Sequence, residues 1–407
     1  MSIEIRPIAP EEFEPFWTAN GTGFGYVPNL AQMDESRELL EYDRTLASFD
    51  GEEIVSTTAI DTFDMTVPGG ALPAAGVTWV SVKPTHRRRG VLTGMMRRQL
   101  RDVRERNEPL AALWASESII YSRYGYGLAS EGTAFEIERE HTAYAVQPLA
   151  PGRCRLVAHE EALATWPGVY ARVLPRIPGM YTRHEAWWRC HSMRQHEWGL
   201  PSGFSGRFYV QYEEDGEALG YAKYRLRGDQ SSMLPNATLA VQELIAASDG
   251  AYAALWTYIF GVDLVGTIVA RHRPVDEPLT WMLADPRRLQ RRIYDVLWVR
   301  IVDVVPALEG RRYATEGRVV FDVRDGFCDW VEGRYELEGG PDGARCKRTG
   351  AEADVSLSAA DLGAVYMGGM RLSALRRAGR IEGDDKAIAY ADAMLSWDPR
   401  PWCPEVF

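Results

Sequence analysis

Residues 3–8 alternate apolar and polar, Ile-Glu-Ile-Arg-Pro-Ile, with the period of a strand. Over 10–20 the spacing becomes helical, with Pro and Glu in the first turn. The Gly-aromatic stretch 21–26 reads as a loop and 34–42 as a second helix. Segments 44–50 and 53–63 read as a hairpin around Asp50 and Gly51. Segment 64–74 holds the turn Pro68-Gly69-Gly70 and a further short strand, and 77–82 is the next strand. A helix over 91–107 puts Leu92, Met95, Met96, Leu100 and Val103 on one face. Then follow a buried strand at 110–116, a short helix at 118–124 closed by Gly125, and an alternating strand at 134–139. Mixed strands and helices over about 140 residues make one α/β unit of ordinary domain size.

From about residue 150 the order of elements restarts. Helices are expected at 163–173 and 184–191, a hairpin at 207–213 and 218–227, a strand from Leu239, a helix at 249–260 and a strand at 265–270. The chemistry does not restart. Where the first copy has Thr85-His86-Arg87-Arg88-Arg89-Gly90, the second has Ala246-Ala247-Ser248-Asp249-Gly250, and an aspartate at a helix start repels a pyrophosphate. From about residue 282 the style changes again. Strands are expected at 294–301, 315–323, 328–338, 344–348 and 355–357, and helices at 303–310, 359–367, 372–379 and 386–395. A proline-rich tail with Trp397, Trp402 and a terminal Phe407 cannot be helical, and its aromatic residues predict a packed terminus. The boundaries expected are 1–145, 146–284 and 285–407.

Composition narrows the classes. The net charge of −11 argues against general binding to nucleic acid or an anionic membrane, and it suits a cationic partner as well as ordinary solubility. Five cysteines without a CxxC pair suggest neither a disulfide framework nor a zinc site, and no metal is called for. The start has no apolar signal region and no apolar run is long enough to span a membrane, so a cytoplasmic protein is expected.

The chemistry concentrates between Val77 and Gly127. A strand runs into a basic turn, Arg87-Arg88-Arg89-Gly90, and then into a helix. Helix N-termini carry unpaired N–H groups and a partial positive charge, so this turn suits a pyrophosphate. The glycine spacing is neither that of a dinucleotide fold nor that of a P-loop. By composition, Tyr121, Tyr124 and Tyr126 are equal candidates for an acid. On the strand, Trp79 faces away from Val80. It is a candidate for an acceptor pocket with Phe24, Tyr26 and Met65, residues that elsewhere are more often core.

Val80-Ser81-Val82 followed by Arg87-Arg88-Arg89-Gly90 resembles motif A of the GCN5-related N-acetyltransferase (GNAT) superfamily, and the run from Tyr121 to Tyr126 resembles its Tyr-x-x-x-Gly-Phe/Tyr segment. More narrowly, Pro84 to Gly90, Ala115-Ser116-Glu117 and Ile120 to Tyr126 resemble the enhanced intracellular survival (Eis) acetyltransferases of actinobacteria. Leu92 departs from the Gly or Ala of the broad superfamily but is tolerated in the narrower family. The resemblance implies an α/β (α+β) fold of two tandem GNAT-like mixed-sheet units, the second degenerate, plus a sterol-carrier-like α+β domain. It implies acetyl-CoA as co-substrate. Val80, Ser81 and Val82 would pair with its pantetheine arm, Arg88, Arg89, Gly90, Val91, Leu92 and Thr93 would hold its pyrophosphate, and Ser116 and Glu117 would lie beside it. Tyr121 becomes the general acid, and the carboxylate of Phe407 the base or anchor for the amine.

A C-terminal carboxylate, with a pKa of about 3.3–3.7, is a weak base, so attracting and orienting a cationic amine is its larger role, which Glu405 and Asp398 could share. The expected activity is N-acetylation of small cationic amines, aminoglycosides by resemblance. Lysine side chains of peptides or proteins are the alternative acceptors. A lipid or sterol carrier acting through the C-terminal domain is the alternative of another class. The resemblance also implies a homohexamer.

Overall fold

A computed structural model describes residues 3–27, 33–194, 203–228 and 236–407; part of the expected acceptor loop, 28–32, lies outside the described residues. In chain order the first elements are β1 (Glu4–Arg6), α1 (Phe13–Phe24), α2 (Met33–Leu39), β2 (Leu46–Asp50), β3 (Glu53–Val67), β4 (Gly70–Val82), α3 (Val91–Glu105), β5 (Leu110–Trp114), α4 (Ser118–Tyr121) and β6 (Gly127–Glu138). Then come β7 (Arg153–Val157), α5 (His159–Val173), α6 (Glu185–Trp187), β8 (Phe208–Glu214), β9 (Glu217–Arg227), β10 (Ala237–Ala246), α7 (Asp249–Phe260), β11 (Val265–Arg273) and β12 (Gln290–Ile301). The last strands are β13 (Gly317–Arg324), β14 (Gly333–Gly340), β15 (Gly343–Arg348) and β16 (Val355–Ser358).

Contacts group the chain into two units. One comprises Met1–Ser130, Asp295–Pro401 and Val406–Phe407, and the other comprises Glu131–Tyr294 and Trp402–Glu405. Most of the expected third segment therefore shares a unit with the first.

In the first unit the strand order is β1-β2-β3-β4-β5-β12. Strands β2, β3 and β4 are antiparallel, β4 and β5 are parallel with α3 as the crossover, and β12 closes the sheet antiparallel to β5 from Leu297↔Trp114 to Ile301↔Leu110. Val91, Met95, Met96, Leu100 and Val103 form the buried face of α3. Leu92 is only half-buried, so Val91 takes the place expected for it. Segments 53–63 and 64–74 are not separate strands: β3 and β4 form one long hairpin turning at Pro68 and Gly69.

Helix α1 runs on through Phe24, where a loop was expected. A Cβ on Gly23 would lie 2.5 Å from Ser81 Cβ, so only glycine lets this last turn approach β4 so closely. A separate sheet, β15-β14-β13-β16, carries the C-terminal segment. Its β14 begins at Gly333, later than expected, because Asp325 Oδ1 accepts from Phe327 N (2.9 Å) and Cys328 N (3.0 Å) and holds that stretch as a turn.

The second unit repeats the first topology. Its order is β6-β11-β10-β9-β8-β7, with a parallel β10/β11 pair bridged by α7 and an antiparallel closing strand, here β6. Each six-stranded arrangement thus takes its closing strand from outside its own run of sequence. Among the described residues no helix is long and apolar enough to cross a membrane.

Candidate active site

The first unit opens its sheet at one place. Strands β4 and β5 pair only at Ala74, Ala75 and Gly76 against Leu110, Ala111 and Ala112. Just beyond, the β3–β4 ladder slips: Thr57 pairs Ser81 while Ala59 pairs Thr78, so Trp79 and Val80 together face Thr58. Trp79 adopts a left-handed φ of 56°, which is costly for a bulky residue. A buried polar set holds it there. Trp79 O accepts from Asn20 Nδ2 (2.8 Å) and Thr57 Oγ1 (2.7 Å), and Thr57 Oγ1 shares a further bond with Ser81 Oγ (2.9 Å). The splay leaves the Val80, Ser81 and Val82 stretch of β4 without a β5 partner, and an extended amide chain can pair there.

The basic turn follows. Arg87 is structural: its Nη2 donates to Gly23 O (2.6 Å) and its Nε to Val82 O (3.2 Å), which ties the end of α1 to the turn. His86 is buried, with Nε2 3.2 Å from Asp50 Oδ2 and Nδ1 2.8 Å from Thr85 Oγ1, so it too belongs to the turn. Arg88 and Gly90 both take left-handed backbone, φ 61° and 80°. Arg88 and Arg89 are exposed and make no ion pair with a described residue. Among the described residues no side chain caps the N-terminus of α3 and no acid lies in its first turn, so its leading N–H groups stay available to an anion. Val91 is buried, and Leu92 and Thr93 are half-buried behind them.

Past β5, Ser116 and Glu117 are exposed and lead into α4. Tyr121 is buried, with 4% of its surface exposed, and its ring meets Tyr126 edge-on at 6.0 Å. Burial pushes its pKa up to about 12, against the opposing effect of a hydrogen bond with Ser116. The rival tyrosines are set otherwise. Tyr124 OH lies 3.3 Å from Thr93 Oγ1 and its ring packs on Phe327, while Tyr126 is completely buried. Gly125 turns left-handed at φ 83°, and a Cβ there would collide with the guanidinium of Arg300, itself buried and paired with Asp325. That pair forms the floor under the tyrosine turn.

On the opposite side of the sheet from α3, the ring of Phe407 packs edge-on against Phe63 at 5.4 Å, and the tail is packed as expected. Phe24 is 49% exposed and stacks on Tyr26, whose pKa burial raises to about 12. Trp79 is half-buried among Phe13, Phe16 and Trp17 of α1. Met65 is fully buried and presents no surface to an acceptor.

Comparison with known proteins shows the family. Models of the acetyltransferase (GNAT) domain match residues 4–129 and 179–301, and a sterol carrier protein domain matches 304–404. A Streptomyces avermitilis protein described as an uncharacterized N-acetyltransferase is 40% identical over the whole of both chains. The N-acetyltransferase Eis of Mycobacterium tuberculosis is 33% identical over 361 residues, 86% of this chain and 84% of that one. The chain belongs to the Eis family of GNAT N-acetyltransferases. The crystal structure of Eis1 from Mycobacterium abscessus shares its fold at a TM-score of 0.86 and 33% identity, covering 99% of this chain and all of that one.

As an Eis-family N-acetyltransferase of GNAT fold, the chain uses an acyl-CoA donor. The uncapped α3, the splayed β4 edge and the cations of Arg88 and Arg89 are the groups that could hold such a donor's pyrophosphate and amide-bearing arm. The second unit contains the matching gap and fills it. Strands β10 and β11 pair as far as Val241 and Ala270, and β10 bulges between Val241 and Glu243. There the buried Arg273 donates from Nη1 to Leu244 O (2.7 Å) and pairs with Glu277 (3.0 Å).

Glu405 is also committed within the second unit. Its carboxylate accepts from Ser192 Oγ (2.7 Å) and Trp187 Nε1 (3.2 Å) and lies 3.2 Å from Arg183. Burial would raise its pKa, but Arg183, His191, Lys223 and the Ser192 hydroxyl outweigh it and hold the group well below the usual carboxylate range. Glu405 is therefore engaged with its own cations rather than available to an amine. Asn20, Thr57 and Arg273 were not singled out from sequence. Only Arg273 left a trace there, as an acid four residues on, Glu277.

Proposed function

We propose that this enzyme transfers the acetyl group of acetyl-CoA directly to primary amines of small polycationic acceptors, aminoglycosides being the class that the family resemblance names. The observation that carries this reading is one continuous path in the first unit: the splayed β4 edge, the uncapped α3 N-terminus and the buried Tyr121 after β5. Bound acetyl-CoA supplies an activated thioester. The β4 backbone at Val80, Ser81 and Val82 pairs with amides of its arm. Arg88, Arg89 and the first N–H groups of α3 hold the pyrophosphate, with Gly90, Val91, Leu92 and Thr93 shaping the cradle. Ser116 and Glu117 border the site, and the Ser116 hydroxyl orients Tyr121.

Tyr121 keeps its proton at every working pH and presents it to the departing sulfur. With its pKa near 12 and an ordinary thiol near 8.5, complete proton transfer is uphill by about 3.5 pK units, or about 5 kcal/mol. Tyr121 therefore works first as a hydrogen-bond donor to sulfur. It delivers the proton as the desolvated thiolate becomes more basic. The Phe407 carboxylate attracts and orients the ammonium, assisted by the net charge of −11.

The test is a protein extended by a few residues beyond Phe407, assayed by thiol release with an aminoglycoside and with a lysine peptide. The expected outcome is loss of transfer with acetyl-CoA binding intact. Full activity in the extended protein would sink the role of the terminal carboxylate, and acetylation of the peptide alone would move the acceptor class to proteins.

A further inference from the structure

Strand β3 carries a carboxylate that neither the fold nor the chemistry above uses. Thr58 and Thr62 share one face of β3: Gln99 Nε2 of α3 donates to Thr58 Oγ1 (2.9 Å), and Thr62 Oγ1 donates to Glu41 Oε2 (2.7 Å). Alternation puts Ala59, Asp61 and Phe63 on the other face. Ala59 packs with Phe13, Phe16 and Trp17 of α1, and Phe63 packs on Phe407. Asp61 thus lies between the aromatic cluster of α1 and the terminal residue, about 7 Å along the strand from Phe63.

Among the described residues the Asp61 carboxylate has no hydrogen bond or ion pair. Arg44, whose charge favours the ionised form, is committed to Glu108, with Nη1 donating to Oε1 at 2.7 Å, and Glu41 adds a like charge. The carboxyl is only half-buried, yet desolvation, with Glu41, pushes its pKa up to about 8. This describes an acid in a recess, enclosed by protein but reachable from solvent, and it costs stability whenever it ionises.

We propose that Asp61 is a specificity-determining carboxylate of the acceptor site, pairing with a second ammonium group of a polycationic amine while the first lies at the Phe407 carboxylate. This rests on the proposed function, and it explains why an unpaired acid is kept beside the terminal residue. Asp61 is not part of the transfer chemistry. It selects acceptors with more than one amine, because a single ammonium can be met by the Phe407 carboxylate alone.

The experiment is calorimetric titration of the full-length, CoA-saturated protein and of Asp61→Asn with neomycin, spermine and butylamine, in two buffers of different ionisation enthalpy at pH 7. Wild type should bind at least one polycation with release of about one proton, because the incoming ammonium returns Asp61 to its charged form. Asp61→Asn should bind that polycation about 10-fold or more weakly, without that proton, and butylamine as before. It should also melt no lower than wild type. The carboxyl's raised pKa contributes stability that is fully present below about pH 4 and lost as pH rises through about 8, and the amide has no such loss. Equal polycation binding by both proteins, binding without the proton, an equal loss for butylamine, or no polycation binding by wild type overturns the proposal. Because the titration adds nothing after Phe407 and reads binding, its failure is distinct from failure of the extended protein to lose transfer.

Discussion

The two sheet units share a topology and differ in what occupies the gap at its centre. In the first, β4 and β5 part after Gly76 and Ala112, and the helix that follows β4 starts with free arginines, a left-handed glycine and no cap. In the second, β10 and β11 part after Val241 and Ala270. Arg273 then supplies to Leu244 O the hydrogen bond that a ligand amide would make, and Ser248 caps the following helix with Asp249 in its first turn. A splayed parallel pair leaves backbone groups that must be satisfied. In the first unit the Val80, Ser81 and Val82 stretch has no β5 partner, and in the second Arg273 donates to Leu244 O from within the unit. Topology alone therefore says little about activity, which has to be argued from the groups at the gap.

Breaking the filled gap should give the largest effect. Arg273→Ala leaves Glu277 buried without its cation and Leu244 O without its donor. The expected cost is about 3–5 kcal/mol, read as a lower midpoint in denaturant unfolding. The variant should still bind acyl-CoA at one site per chain. A second equivalent of acyl-CoA bound by the emptied gap would show that filling is all that separates the two units.

The open gap is tested next at its far end. Tyr121→Phe keeps the buried ring and its contact with Tyr126 but removes the donor, so kcat should fall roughly 10²-fold while acyl-CoA affinity stays the same. The pH profile adds a check with a definite sign. Since burial raises the Tyr121 pKa to about 12, its proton is lost only above that, and wild type should show no alkaline fall in rate from this group below about pH 11. An unchanged kcat in Tyr121→Phe would remove Tyr121 from the reaction.

How much of this was readable in advance follows from the range of each interaction. Helix α3 was legible because Met95, Met96, Leu100 and Val103 repeat at helical spacing, a local signal. The turn at Arg88 and Gly90 was legible for the same reason. The extension of α1 was not, since Gly21 and Gly23 argue against helix locally and are tolerated because the helix packs tightly on Ser81. The unity of β3 was hidden by its polar residues, although Phe63, Asp64 and Met65 alternate buried and exposed as one strand requires. The exchange of closing strands could not be read, because the patterns of β6 and β12 specify strands but not partners. Asp61 appeared only as an acid in a strand. Its meaning depends on Phe407, which lies more than 300 residues away in sequence.

The smallest expected effect sharpens the comparison most. Ser248 Oγ accepts from Ala251 N at 3.2 Å, where the first unit has no cap at all. Ser248→Ala should cost about 1 kcal/mol of stability, as loss of an N-cap does, with transfer rate and acyl-CoA stoichiometry unchanged. Uncapping alone should not create a phosphate site, because Asp249 still sets a negative charge at the helix start and Arg273 still fills the gap beside it. If the variant gained affinity for acyl-CoA, the cap would be what silences the second unit. If it lost stability and nothing else, an uncapped helix start would not be enough to make a cofactor site, and the filled gap and its charge would remain as what sets the second unit apart.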